Sequence, residues 1–174
     1  LTPTGPTSQI VTVISGQAAV TLEFSNDGAC NGLTPGYWKN WRNHYTDAEF
    51  ASLLQGTIAD VGTNAQDIAA ADAIFDHWDA SDPQDGTILS AFVLANQLTL
   101  NLTQSNLPNP SNGSLFGACL LTGQEGLGNL GDVLATALDY LARLSDGDPN
   151  NNPTNAQILA IKNILDAFAN QFTG

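Results

Sequence analysis

The chain has 174 residues, with 17 acidic and 4 basic side chains and a formal net charge of −13. A surface of that sign repels phosphate backbones and anionic headgroups, which argues against nucleic-acid binding and against membrane docking through a basic patch. At 43% hydrophobic the chain still has the apolar content to bury a core, so it is no acidic disordered tail, and one domain is the expected organisation.

Taken in order, residues 1–8 are Pro, Thr and Gly without apolar period, a flexible arm. Ile10-Val11-Thr12-Val13-Ile14 is a β-branched run. After a break at Ser15-Gly16-Gln17, Val20, Leu22 and Phe24 alternate with polar or small neighbours. This predicts two strands with a turn, or one strand with a bulge. Pro35-Gly36 suits the centre of a type II turn, with Tyr37, Trp38 and Trp41 crowded behind it. Thr46-Asp47-Ala48-Glu49 has the form of a capping box and predicts a short helix through Leu54. Thr63-Asn64 caps a second helix that carries Ile68, Ala71, Phe75 and Trp78. A third, from Ile88 to about Leu102, is apolar nearly all round and is expected at the centre. Residues 104–129 form a long Pro-, Asn- and Gly-rich loop around Cys119. A fourth helix runs from Leu130 to Leu144. Thr154 caps the last, in which Ile158, Ile161, Leu165, Phe168 and Phe172 make an apolar stripe. The expected fold is mainly α, about five helices, with an N-terminal β-strand segment, and α+β overall. Residues 1–29 form the arm and strands, and residues 30–174 the helical domain.

The chain contains no methionine, and its opening Leu1-Thr2-Pro3-Thr4-Gly5-Pro6 reads as the product of a processing event, here the removal of a signal peptide. No run approaches the ~18 apolar residues of a membrane span. Cys30 and Cys119 are an even pair, expected to form a disulfide closing a loop of about 90 residues, worth on the order of 4–5 kcal/mol in the loop-entropy picture. Two sequons, at Asn101 and Asn112, are candidate glycosylation sites. Together these point to an extracellular or cell-surface location.

The segment from Cys30 to Trp41 concentrates aromatics and cations: Tyr37, Trp38, Lys39, Trp41, Arg42 and His44. It has two readings. The rings could form a sugar-stacking or partner-binding surface, or they could plug the end of the helical core while Lys39 and Arg42 pair with the acidic excess. Here Thr34-Pro35-Gly36-Tyr37-Trp38-Lys39-Asn40 resembles the Cys-Thr-Pro-Gly-Tyr-Trp-Lys-Asn-His modules of secreted bacterial and archaeal surface proteins. Trp41 stands where those modules have His, and Cys30 lies farther from the Thr. Leu94-Ala95-Asn96-Gln97-Leu98 resembles a further Leu-Ala-x-Gln-Leu segment of the same modules. The resemblance spans residues 30–145 and implies a mostly helical extracellular module, with no catalytic residue to carry over.

Two acidic segments are candidate calcium sites. Asp146, Asp148, Asn150 and Asn152 fall at positions 1, 3, 5 and 7 of a helix–loop–helix calcium loop, although position 12 is Gln157 and position 6 is Asn151. The alternative is an Asx-rich turn bonding its own backbone. Asp76, Asp79, Asp82 and Asp85 form a second cluster, which either holds a cation or is a solvated acidic loop with Asp85 near a helix start. Enzymatic patterns are missing: two histidines are too few for a confident zinc site, and no nucleophile elbow, phosphate loop or dinucleotide glycine pattern occurs. The reading that follows is a non-enzymatic extracellular structural protein, the subunit of a pilus-like surface filament or matrix. Copies would join by strand addition, with Ile10, Val11, Val13 and Ile14 as the joining residues. A calcium-dependent adhesin or carbohydrate-binding module using Tyr37, Trp38 and Trp41 is the alternative.

Overall fold

The computed structural model describes residues 32–78, 82–108 and 130–170. Six α-helices account for most of them: α1 Pro35–Lys39, α2 Asp47–Leu54, α3 Asn64–Asp76, α4 Thr87–Gln104, α5 Leu130–Ser145 and α6 Asn155–Asn170. Short 3-10 turns at Trp41–Asn43 and Pro83–Asp85 join some of them. No strand occurs among the described residues, so the α+β class is corrected to mainly α. A β-branched run is a local preference that becomes a strand only beside a paired neighbour. The described helices close their core on one another and offer no sheet to pair with. The runs Ile10–Ile14 and Val20–Phe24 lie outside the described residues.

The helices start where short polar side chains satisfy free amides. At α2 the Thr46 hydroxyl accepts from Glu49 N at 3.3 Å, while Glu49 Oε2 accepts from Thr46 N at 2.8 Å. Thr154 and Gln157 repeat that arrangement at α6, with Thr154 N donating to Gln157 Oε1 at 2.8 Å. Helix α4 lacks a side-chain cap of its own, and Gly86 precedes it at φ 73°. A Cβ there would be strained by the left-handed backbone and pressed against Leu141 and Leu144 at 3.4 Å.

Helix α4 is the axis of the fold. Ten of its side chains are buried, around all of the helix except the strip through Ser90, Gln97 and Asn101. One flank packs on α1–α3, where Leu94, Ala95, Leu98 and Leu102 meet Trp38, Trp41, Phe50, Leu53, Leu54 and Phe75. The other flank packs on α5 and α6, where Leu89, Phe92 and Val93 meet Leu130, Val133, Leu134, Ile158, Leu165 and Phe168. Each such fully buried side chain is worth about 1.5–3 kcal/mol. Of the α6 stripe, Ile158, Leu165 and Phe168 are buried and Ile161 is half-buried, while Phe172 lies outside the described residues.

Polar ties fix the alignment of α4 and α6. Gln84, just before α4, donates to Asn155 Oδ1 at 2.6 Å and to Pro153 O at 3.0 Å. Farther along, the buried Asn96 amide donates to Leu165 O at 3.1 Å. The two helices therefore run parallel. The described chain enters at Gly32, packed directly on the C-terminal turn of α6. A Cβ on Gly32 would stand 2.2 Å from Phe168 O. Among the described residues no helix is long and apolar enough to cross a membrane.

Gly32→Ala is accordingly expected to destabilise the chain by about 1–3 kcal/mol, because the contact is with backbone that cannot rotate away. Urea unfolding followed by circular dichroism measures it, and an unchanged midpoint would contradict the close approach.

Candidate functional site

The Thr34–Trp41 segment is a helix start, not a type II turn. The Thr34 hydroxyl accepts from Tyr37 N at 3.2 Å, and Pro35 takes the first helical position, where its missing N–H costs nothing. Asn40 ends the helix, and its amide donates back to Gly36 O at 2.8 Å. One turn of helix therefore throws Trp38 and Trp41 toward the core and leaves Lys39 and Arg42 at the rim.

Trp38 and Trp41 are both 0% exposed. Trp41 stacks on Phe50 with ring centroids 4.1 Å apart and planes 10° apart. Trp38 stacks on Tyr45 at 5.9 Å and meets the Tyr37 edge at 5.2 Å. Each indole N–H has a partner: Trp38 Nε1 donates to Thr99 Oγ1 at 3.2 Å, and Trp41 Nε1 to Asp72 Oδ1 at 3.0 Å. Rings enclosed on this scale cannot stack on a sugar or a partner, which corrects the binding-surface reading for Trp38 and Trp41. Tyr37 is half-buried, with its hydroxyl 3.3 Å from that of Tyr45 and His44 stacked on its ring at 4.5 Å. Burial, with the Tyr45 hydrogen bond second, holds the Tyr37 phenol well above its ordinary pKa.

The cations complete the plug. Arg42 makes a two-pronged contact with Asp72, at 3.1 and 2.7 Å, and lies 4.2 Å from the centre of the Trp41 ring. Lys39 pairs with Asp76 at 3.4 Å, one turn farther along α3. Asp72 is the residue that the sequence reading missed as a partner. Its i,i+4 spacing from Asp76, opposite Lys39 and Arg42 at i,i+3, was the available signal. Burial raises the Asp72 pKa, but hydrogen bonds from Arg42 and Trp41 outweigh it and hold the carboxyl below its usual range.

The Asp146–Asn152 segment is an Asx-rich turn between α5 and α6. Asp146 accepts from Asp148 N at 2.8 Å and from the Asn151 amide at 2.7 Å. Asp148 accepts from Asn150 N and from its side-chain amide, each at 3.0 Å. Asn152, with its amide oriented by its neighbours, donates to Arg143 O at 2.8 Å. Arg143 itself donates to Asn151 O. The Asn151 and Asp148 hydrogen bonds hold the Asp146 carboxyl below its usual range. In the second cluster Asp82 accepts from Gln84 N at 3.0 Å, and Asp85 from Thr87 N at 2.9 Å and Thr87 Oγ1 at 2.7 Å. Asp85 thus supplies the cap that α4 lacks. Among the described residues no three His, Cys, Asp or Glu side chains are grouped to hold a metal ion. Asp79 lies outside them.

Asn101 sits inside α4, and its Nδ2, the atom a glycan would take, donates to Leu53 O at 2.8 Å and Gln55 O at 3.0 Å. It serves as the C-terminal cap of α2. Asn112, Cys30, Cys119, Ile10, Val11, Val13 and Ile14 lie outside the described residues. The sequence reading also passed over Asp67, which is 0% exposed. Its Oδ1 accepts from Val61 N and Gly62 N at 2.8 Å each, clamping the loop before α3. Comparison with known proteins found no matching family model, no matching characterised protein and no matching solved structure.

Two measurements check this arrangement. A double-mutant cycle on Arg42→Ala and Asp72→Asn is expected to give a coupling of about 0.2–1 kcal/mol, as for an ion pair at the surface, whereas Trp41→Ala should cost about 3–5 kcal/mol. The Asp72 pKa is lower in the folded chain than in the unfolded one. Its contribution is therefore fully present above the unfolded carboxylate value of about 3.9 and is lost as pH falls through the folded value. Thermal unfolding between neutral pH and strong acid should show a smaller acid loss for Asp72→Asn than for the natural chain. Equal losses would place the acid sensitivity elsewhere.

Proposed function

We propose that the chain is a non-enzymatic extracellular structural protein, a subunit of a surface filament or matrix whose copies are joined through the N-terminal arm. The observation that supports it best is the inward set of the aromatic motif. The segment most like a ligand surface in the sequence has its indoles enclosed and its cations tied to Asp72 and Asp76. It serves as a scaffold corner. No observation favours the carbohydrate-binding alternative over this one.

The arm supports the reading from the other side. Residues 1–22 carry no charged side chain, in a chain of net charge −13. Such a segment, with its β-branched run at Ile10–Ile14, approaches another acidic copy without charge repulsion and gains from burial there. The resemblance of Thr34–Asn40 to modules of secreted surface proteins supports an extracellular place, as does the cysteine pair.

Deleting residues 1–22 is expected to abolish concentration-dependent polymers while leaving the helical circular dichroism intact. Light scattering after size exclusion, with negative-stain electron microscopy, reads the result, and polymers surviving the deletion would refute the arm's role. Thiol titration of the unfolded, unreduced chain should find Cys30 and Cys119 joined. Two titratable thiols would remove that support for an oxidising location.

A further inference from the structure

A shallow groove of about 340 Å³ runs between α4 and α5, with Gln97, Leu100 and Asn101 on one wall and Leu134, Ala135 and Leu138 on the other. None of its described lining residues is charged. Along α5 the exposed Gly131, Ala135, Leu138 and Ala142 follow at spacings of 4, 3 and 4, with the exposed Asp132 and Asp139 beside this strip on the side away from α4. That is the period of a helix face that packs on something. The face of α5 through Val133 and Ala137 joins the core, and Leu134 lies at the boundary, in the core and at the floor of the groove. Leu138 is 37% exposed, one of three exposed large apolar side chains among the described residues, with Val61 and Leu159.

We propose that this groove receives the N-terminal arm of a second copy, centred on Ile10–Ile14. The proposal rests on the filament reading above and names the surface at which the arm ends. Two observations select the occupant. The first is charge. All four basic side chains of the chain are held by aspartates within it: Lys39 by Asp76, Arg42 by Asp72, Arg143 by Asp139 and Lys162 by Asp166. A copy therefore offers little positive charge to attract its neighbour, and two bodies of net charge −13 repel. Contact between copies is favourable where both surfaces are uncharged. The groove meets that condition, and so do residues 1–22.

The second observation is reach. The described chain begins at Gly32, held against the C-terminal turn of α6. From Gly32 back to Ile14 the chain spans up to roughly 60 Å when extended. Helix α4, the longest of the described elements, has 18 residues and is about 27 Å long. The arm is thus long enough to leave its own body and meet the next. Branched apolar side chains such as Val13 would cover Leu138 and Ala135. The amide groups of Gln97 and Asn101 provide the polar wall that an arm backbone needs beside it.

The test uses the full chain. A photo-reactive residue replaces Val13 in isotopically heavy copies, which are mixed with light copies and irradiated. The expected product joins a heavy arm to residues 134–138 of a light copy. Cross-links confined to the heavy chain's own groove, or made to another surface, overturn the proposal. Ala135→Gln and Leu138→Glu, both at exposed positions, should keep the natural Tm and raise the protein concentration for half-assembly at least tenfold. Val61→Glu, at the most exposed large apolar side chain among the described residues, should assemble as the natural chain does. If deletion of residues 1–22 stops assembly and the groove variants do not, the arm docks elsewhere and the groove proposal alone falls. If the natural chain forms no polymer at any concentration, the filament reading falls and the groove proposal falls with it.

Discussion

Helix α4 is buried over most of its circumference, and both halves of the described fold exist by packing against it. Neither α1–α3 nor the α5–α6 pair has an apolar face that closes without it. A helix in that position gains its stability from area removed from water, a force without direction, so polar groups must set its register. Thr99 does so toward Trp38, and Asn96 toward Leu165 O. The Asn96 Oδ1 finds no partner among the described residues, an arrangement that costs about 1–3 kcal/mol. The second amide bond, to Phe92 O at 2.9 Å, ties the same side chain to its own helix. The core thus gives up some stability to hold α4 and α6 in one alignment.

The aromatic corner follows from the same helix. Trp38 is anchored on α4 through Thr99, and Trp41 on α3 through Asp72, so α1 and the 3-10 turn that follows it bridge two elements. Asp72 takes three donors, from an indole and from a guanidinium, and this convergence is what keeps a half-buried carboxylate ionised. With only four basic side chains in the molecule, placing two of them here is a large share of the available positive charge. That share goes to closing one end of the core.

Much of this was legible in the sequence, and the misses have physical reasons. The boundaries of α2, α4, α5 and α6 followed from caps and apolar spacing, because those signals are local: Thr46 with Glu49, Thr154 with Gln157, and the Ile158–Phe168 stripe. Helix α1 was hidden by Pro35-Gly36, two residues that favour turns unless a Thr stands before them to cap a helix. The α+β class rested on β-branched runs that lie outside the described residues, and the described ones hold helices and turns without a strand, because β-branched residues specify a strand only with a partner that one sequence does not reveal. The Asp146–Asn152 pattern was ambiguous for a related reason. Alternating Asp and Asn place oxygens inward both for a cation and for backbone amides, and here the Asp146 and Asp148 carboxylates accept from the amides of their own loop. Burial of Trp38 and Trp41, as opposed to display, turned on where α3 and α4 lie, a tertiary fact that sequence spacing does not contain.

The preference for Asp over Glu connects the local and global sides of the charge. Short carboxylates at Asp82, Asp85, Asp146 and Asp148 each accept from the backbone amide two residues on, and Asp67 clamps a loop from inside. Each is placed to shape a turn, and the negative charge accompanies that role. Because the cations are few and tied, these local devices sum to a body that repels its own copies. A protein built in this way restricts self-association to its uncharged surfaces, which narrows where copies can touch without any contact designed to prevent the rest. In the assembly proposed above, the arm and the α4–α5 groove are where that restriction is relaxed, and the acidity that shapes the turns would then also select how copies meet.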